Sequence, residues 1–279
     1  MQKAPQDRMA MLKRKVDERL KKIKHVIMIL SGKGGVGKSF ISANLAVAIA
    51  SLGKRVGLLD ADIHGPDVPK ILGLEGEQML TGPPGIFPVE GPLGVKVVSL
   101  EFLLPSPDVP IIWRGPLKTS AIIQLLGDVV WGDLDYLIID LPPGTGDEPL
   151  TIAQNVSKVD GIILVTIPSE VSELDVSKAA GFARKVNIPI LGIIENMSYF
   201  RCPSCGTIHY IFGKGSGERL AQMLTAELIG KIPLDPKISE ANNSGRPFVL
   251  EYKDSEAARE MLSIAKRIIK KLEGGRGRG

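Results

Sequence analysis

Short runs of Ile, Leu and Val alternate with longer stretches of helical spacing along most of this chain. The runs at 25–30, 55–60, 95–100, 136–140, 161–166, 190–195 and 228–232 predict strands. YLIID and GIILVTI lack polar alternation, which suits strands buried on both faces of a mostly parallel sheet. Apolar positions at three- and four-residue intervals predict helices over 38–52, 116–130, 148–156, 173–185, 217–225 and 255–272. This alternation predicts an α/β fold, a doubly wound and mostly parallel sheet flanked by helices. Two loop-rich insertions interrupt it: 73–94, heavy in Gly and Pro, and 195–215, which holds both cysteines. The expected division is a charged arm or helix over 1–24, a single domain over 25–273 with a cysteine loop at 196–215, and a basic Gly/Arg tail over 274–279.

Between the first strand and the first helix the chain reads SGKGGVGKS, at 31–39. Gly32, Gly37, Lys38 and Ser39 complete the phosphate-loop pattern, and Lys33, Gly34, Gly35 and Val36 fill it. Glycines let the backbone curl so that successive N–H groups and the positive end of the helix face an anion. Lys38 is expected on the β- and γ-phosphates and the Ser39 hydroxyl on Mg²⁺. The helix that follows, beginning with Phe40, has Leu45, Ala46 and Ile49 on one face. The chemistry expected is binding of a nucleoside triphosphate.

Ligands in open parallel sheets sit beyond the carboxyl ends of the strands, and two further motifs fall at such ends. The second strand runs into LLDADIHGPD, placing Asp60 at its end and Asp62 in the loop that follows. The fourth runs into DLPPGTGD, with Asp140 at its end and Gly144 in a loop able to approach a γ-phosphate. Asp140 is expected to hold Mg²⁺ directly or through water, and Asp62 to orient or deprotonate the attacking water. Taken alone, an Asp at a strand end also serves as a helix cap.

Cys202-Pro-Ser-Cys205 is the only thiol pair, and three readings of it stand. A 4Fe–4S cluster wants four thiolates, which a twofold dimer would assemble from two such pairs. A Cys₄ zinc site has the same arithmetic, with His209 as a conceivable third ligand within one chain. A thioredoxin-like redox pair needs its first cysteine at a helix N-terminus, yet the next helical pattern begins near 217.

Charge changes the picture of partners. Residues 1–24 carry nine Lys/Arg against three acids and 266–279 six against one, leaving a net −7 between them in a chain of net +4. Nucleic-acid binding calls for a basic central patch, so none is expected. The basic amphipathic stretch 261–272 could lie on an anionic membrane, but such helices more often pack on the sheet with their lysines in water. No apolar stretch approaches a membrane span and the first residues lack a secretory pattern, so a cytoplasmic protein with reduced thiols is expected.

The loop with Lys33, followed by DAD and DLPPGTGD, resembles the deviant-Walker-A P-loop NTPases that include MinD, ParA, ArsA and the nitrogenase iron protein. LLDADIHGPDVPK, WRGPLKTSAI, ENMSYFRCPSCG, IFGKGSGERLA and GKIPLDPKISEANNSGRPFV together resemble the Mrp/ApbC iron–sulfur cluster carriers, over roughly 22–250. That resemblance implies an ATP-hydrolysing homodimer, slow without a partner, in which Lys33 reaches across to the partner's phosphates. It also implies an Asn196 hydrogen bond to adenine, a base flanked by the loop at Pro233 and Leu234, and a cluster on Cys202 and Cys205 handed to recipient apoproteins. The alternative is a MinD/ParA-like switch with structural zinc at the cysteine pair. Trp113-Arg114-Gly115-Pro116 belongs to the resemblance without a physical role of its own.

Overall fold

A nine-residue strand, β1 (Ile23–Ser31), has only Lys24 exposed and runs through the middle of an eight-stranded sheet. The computed structural model describes residues 3–62, 65, 67–103 and 115–274, with backbone alone for 3–9, 115–119, 147–148 and 170–177. The remaining strands are β2 (Val56–Asp60), β3 (Leu80–Gly82), β4 (Gly85–Phe87), β5 (Val89–Glu90), β6 (Lys96–Ser99), β7 (Leu134–Asp140), β8 (Gly161–Thr166), β9 (Ile190–Glu195), β10 (Phe200–Arg201), β11 (Ile208–His209) and β12 (Leu228–Lys231). The large sheet runs β12-β9-β8-β1-β7-β2-β6-β5, parallel throughout except for β5 against β6. Every residue of β2, β7 and β8 is buried, as their unbroken apolar runs predict. Strand order reverses at β1, so the loop leaving it opens at the switch point where such sheets bind ligands.

The helices are α1 (Lys3–Leu20), α2 (Lys38–Ser51), α3 (Asp67–Ile71), α4 (Gly115–Asp128), α5 (Asp147–Asn155), α6 (Glu170–Lys185), α7 (Ser216–Leu224), α8 (Pro236–Asn243), α9 (Phe248–Glu251) and α10 (Glu256–Gly274). In α2 every residue from Lys38 to Ile49 is buried, so burial extends beyond the face of Leu45, Ala46 and Ile49 to the whole circumference. It is enclosed by α3, α9, α10 and the sheet, and a helix covered all round needs no polar stripe. Its buried Asn44 is satisfied at both ends: Nδ2 donates to Phe40 O and Oδ1 accepts from Val249 N.

Both charged ends of the domain are docked where they are described. In α1, Val16 and Leu20 are buried against α4, and Arg19 donates to the carbonyls of Gly127 and Pro84. In α10, Met261, Ile264, Ala265 and Ile268 are buried. Its cations reach inward as well, Arg267 to Ile229 O and Lys271 to Leu191 O. The apolar face that could have met a membrane is thus spent on the protein's own core. Among the described residues no helix is long and apolar enough to cross a membrane.

Opposite the site, Asp135 pins three adjacent strands at their amino ends. It accepts from the Arg55 amide at 2.9 Å and from its guanidinium at 3.2 Å, with Lys24 Nζ 2.7 Å away. The Arg55 guanidinium, against the opposing cost of burial, holds the Asp135 carboxyl well below its ordinary range. A depressed folded-state pKa contributes stability above the unfolded value near 4 and loses it as pH falls through the folded value. Asp135→Asn is therefore expected to cost about 1–3 kcal/mol at pH 7, with the gap to wild type closing in strong acid. Urea unfolding at several pH values measures it, and a gap independent of pH would contradict the ionic pin.

Candidate functional site

The loop from β1 to α2 folds around the space beyond the strand ends because two of its glycines take left-handed backbone. Gly35 has φ +79° and Gly37 φ +80°, and Gly37 also caps α2. Lys33, Gly34, Gly35, Lys38 and Ser39 line a cavity of about 410 Å³, with Asp62 and Pro143 also in its wall. Gly32 lies outside its lining, while Val36 is buried with its carbonyl turned to Asn196. The Ser31 hydroxyl donates to Lys33 O, and the Gly144 amide donates to Ser31 O at 2.9 Å. Gly144, with φ +88°, therefore braces the loop from behind, and the neighbouring Pro143 is what faces the cavity.

Under the loop lies a buried charge cluster. Asp60 and Asp140 are register partners on β2 and β7, side by side at the carboxyl ends of both strands. Lys38 Nζ donates to Asp140 Oδ1 at 2.8 Å and stands 4.0 Å from Asp62 Oδ2. Ser42, one turn into α2, donates to the same Asp140 oxygen at 2.7 Å. Burial, and then the Asp140 charge, push the Asp60 carboxyl well above its ordinary range, against the pull of Lys38 and the Asp62 amide. Asp60 Oδ2 and Asp140 Oδ2 are buried without a hydrogen-bond partner. Two orphaned carboxylate oxygens under a loop that carries the Ser39 hydroxyl form an all-oxygen donor set suited to a hard divalent cation.

A second cavity, of about 420 Å³, adjoins the first and shares Gly37, Phe40, Met197, Asn242 and Asn243 with it. Leu234, Pro236 and Ile238 supply apolar walls; Leu234 rather than Pro233 faces it. Asn196 sits at the junction. Its Nδ2 donates to Val36 O in the loop at 2.9 Å, and its Oδ1 is buried without a hydrogen-bond partner. Met197 follows in left-handed backbone at φ +52° and touches both cavities.

Seven residues after the end of β9 the chain reaches the thiols. Glu195, itself 1% exposed, accepts from the Ser198 hydroxyl at 2.5 Å and from the Gly217 amide at 2.6 Å. Tyr199 and Arg201 both bind Glu256 at the head of α10. β10 and β11 then pair as a short hairpin whose tip is Cys202-Pro-Ser-Cys205. Cys202 N donates to Thr207 O and Gly206 N to Cys202 O, both at 2.9 Å, with Gly206 at φ +73°. The tip is a hairpin turn and not a helix N-terminus, which removes the thioredoxin-like arrangement.

Cys202 is half-buried and Cys205 exposed. Hydrogen bonds from the Thr207 hydroxyl first, then from its amide and the Cys202 thiol, hold the Cys205 thiol below its ordinary value. His209 is turned to the Phe200 ring, and among the described residues no three His, Cys, Asp or Glu side chains gather to hold a metal. A single chain thus offers two thiolates. Trp113 and Arg114 lie outside the described residues.

Sequence reasoning missed Ser42, Met197 and Asn242, each of which faces this site. A small hydroxyl inside an apolar helix was the one available signal, for Ser42, since buried hydroxyls need partners.

Known proteins match this arrangement. The ParA family model described as NUBPL iron-transfer P-loop NTPase matches residues 22–269. An iron–sulfur cluster carrier protein of Saccharolobus solfataricus is 56% identical over 259 residues, covering 93% of this chain and 88% of its own. One from Methanocaldococcus jannaschii is 55% identical over 260 residues, covering 93% and 89%. Among solved structures, a nucleotide-binding protein of Archaeoglobus fulgidus in complex with ADP superposes with a TM-score of 0.78 at 41% identity, covering 89% of this chain and 96% of its own. The MinD cell division protein of Aquifex aeolicus does so at 0.62 and 25%, covering 88% and 96%. With the switch-point loop, its buried acids and the match across nearly the whole domain, this chain belongs to the ParA family of iron-transfer P-loop NTPases.

Proposed function

We propose that this chain is an ATP-hydrolysing carrier of iron–sulfur clusters, working as a homodimer in which two cysteine hairpins present four thiolates to one 4Fe–4S cluster. The observation that carries the reading is the junction at Asn196. One short segment is bonded to the phosphate loop at its start and bears the half-buried Cys202 and exposed Cys205 at its end. Nucleotide at the loop and cargo at the hairpin are therefore linked by one hydrogen bond and a short stretch of chain, and binding at one end biases the equilibrium at the other.

Within this reading, the loop amides and Lys38 hold the phosphates, and Lys33 serves the partner's nucleotide across the dimer. Asp62, at the cavity wall, orients the attacking water. Ser39 and Asp140 would hold Mg²⁺, which when bound offsets phosphate charge. Leu234 and its neighbours flank the base. Since Lys33 must come from a second copy, hydrolysis by the lone chain is slow. The cluster is cargo, loaded on the paired thiolates and passed to recipient apoproteins.

Anaerobic reconstitution tests the reading. Iron and acid-labile sulfide should approach one 4Fe–4S cluster per two chains, and transfer to an apo-ferredoxin should change rate between ATP, ADP and no nucleotide. Stoichiometric zinc that iron cannot displace, or transfer indifferent to nucleotide, would overturn it.

A further inference from the structure

Four of the eleven large apolar side chains exposed among the described residues fall within five positions: Ile208, Tyr210, Ile211 and Phe212. Single exposed apolar residues are ordinary, but a contiguous group of them marks an interaction surface. This one starts three residues after Cys205, on β11. The chain then turns, Gly213 N donating to Tyr210 O, so that Ile211 and Phe212 stand at the corner. Corners in water usually carry Gly, Asn, Asp, Ser or Pro, which permit or satisfy the turn's own backbone. Here Ile211 is 56% exposed and Phe212 42%, a placement that gains nothing in the lone chain.

The turn is fixed in place. Gly213, at φ +117°, passes so close to Pro168 O that an added Cβ would stand 2.6 Å from it. Pro168 follows β8, the parallel neighbour of β1, so the corner is held at the same end of the sheet as the phosphate loop. The two features that call for a second copy, the thiol pair and Lys33, share this end with the patch.

Charge identifies the occupant. Residues 202–213 contain no Asp, Glu, Lys or Arg. A cluster shared by two hairpins lies on the twofold axis, and Ile208 is at most about 11 Å of chain from Cys205. Beside such an axis a surface meets its own copy, so a charge there would confront its like, whereas an apolar surface is self-complementary. A face that receives unlike proteins has no such restriction and gains from opposite charges. The nearest cations are engaged elsewhere: Lys214 Nζ lies over the Tyr210 ring at 4.8 Å, and Arg201 is bound to Glu256. The exposed part of the four side chains is on the order of 350 Å², nearly half of the roughly 800 Å² that each partner gives to a standard interface.

We propose that 208–212 is a self-association surface, which two copies of this chain bury against each other beside the shared cluster. The proposal rests on the cluster-bridged dimer above and adds the contact that holds it together. Anaerobic sedimentation velocity on reconstituted wild type and on Ile211→Glu/Phe212→Glu tests it. Wild type should sediment as a dimer carrying one cluster. The variant should dimerise roughly tenfold more weakly or worse, and load less iron and sulfide at equal chain concentration. Its circular dichroism, and its ATP affinity when cluster-free, should match wild type, because both side chains stand in solvent and line neither cavity. A variant that dimerises and loads as wild type does overturns the proposal and leaves the cluster reading standing. The same result with slowed transfer to an apo-ferredoxin would assign the patch to the recipient, which overturns it equally. A wild type that takes up no cluster defeats the cluster reading itself, and the proposal with it.

Discussion

Gly37→Ala is expected to abolish measurable nucleotide binding while the chain still folds. At φ +80° an added side chain strains the backbone by about 1–2 kcal/mol. The larger effect is local. A Cβ there would overlap Asn196 Nδ2, the atom that ties the 195–201 segment to Val36 O, and Met197 Cε stands close behind at 3.9 Å. Relief requires Asn196 to swing away or the loop to open. Either movement misaligns the amides that should meet the phosphates, and a displacement near 1 Å at such a site is worth on the order of a hundredfold. Calorimetry with ATP reads the loss, and circular dichroism confirms the fold. Binding within threefold of wild type would show that the loop closes without Asn196.

Replacing either cysteine by serine should remove the cluster and leave the ATP affinity of the cluster-free chain untouched. Iron–sulfur clusters are held by thiolates, and a serine hydroxyl does not ionise near neutral pH to replace one. The hairpin should survive the change, because backbone bonds from Cys202 N to Thr207 O and from Gly206 N to Cys202 O shape its tip. Neither cysteine lines either cavity, so the nucleotide site has no reason to respond. After anaerobic reconstitution, iron and sulfide should fall to background in Cys202→Ser, in Cys205→Ser and in the double variant alike. Full loading of either single variant would mean that four thiolates are not needed, and with that the dimeric cluster would go.

Much of this architecture is legible in the residues, for reasons that differ by element. The central strands are readable because burial on both faces leaves runs such as YLIID no room for polar residues. The phosphate loop is readable because its glycines are demanded by backbone geometry at Gly35 and Gly37. Short elements held by tertiary contact were harder. β10 and β11 have two residues each, too few for any period to show. α8 did carry a signal, an Asp235 cap bonded to Lys237 N with Pro236 in the first turn, in a stretch to which the periodicity assigns no helix. The enclosure of α2 could not be read at all, since it depends on where α9 and α10 return. Asn242 was invisible for a similar reason: nothing local separates it from its neighbour Asn243, which lines the same cavities, and only its buried, unpartnered Oδ1 does.

From Glu195 to Arg201 every side chain except Met197 and Phe200 is hydrogen-bonded to a group elsewhere in the fold or to a neighbour in the same stretch. A Gly/Ser connector of the same length would absorb a shift at one end as a change of shape along its contour. This one has no slack. It behaves as a strut, so the number of residues between the phosphate loop and the thiols is as much a design parameter as their identity.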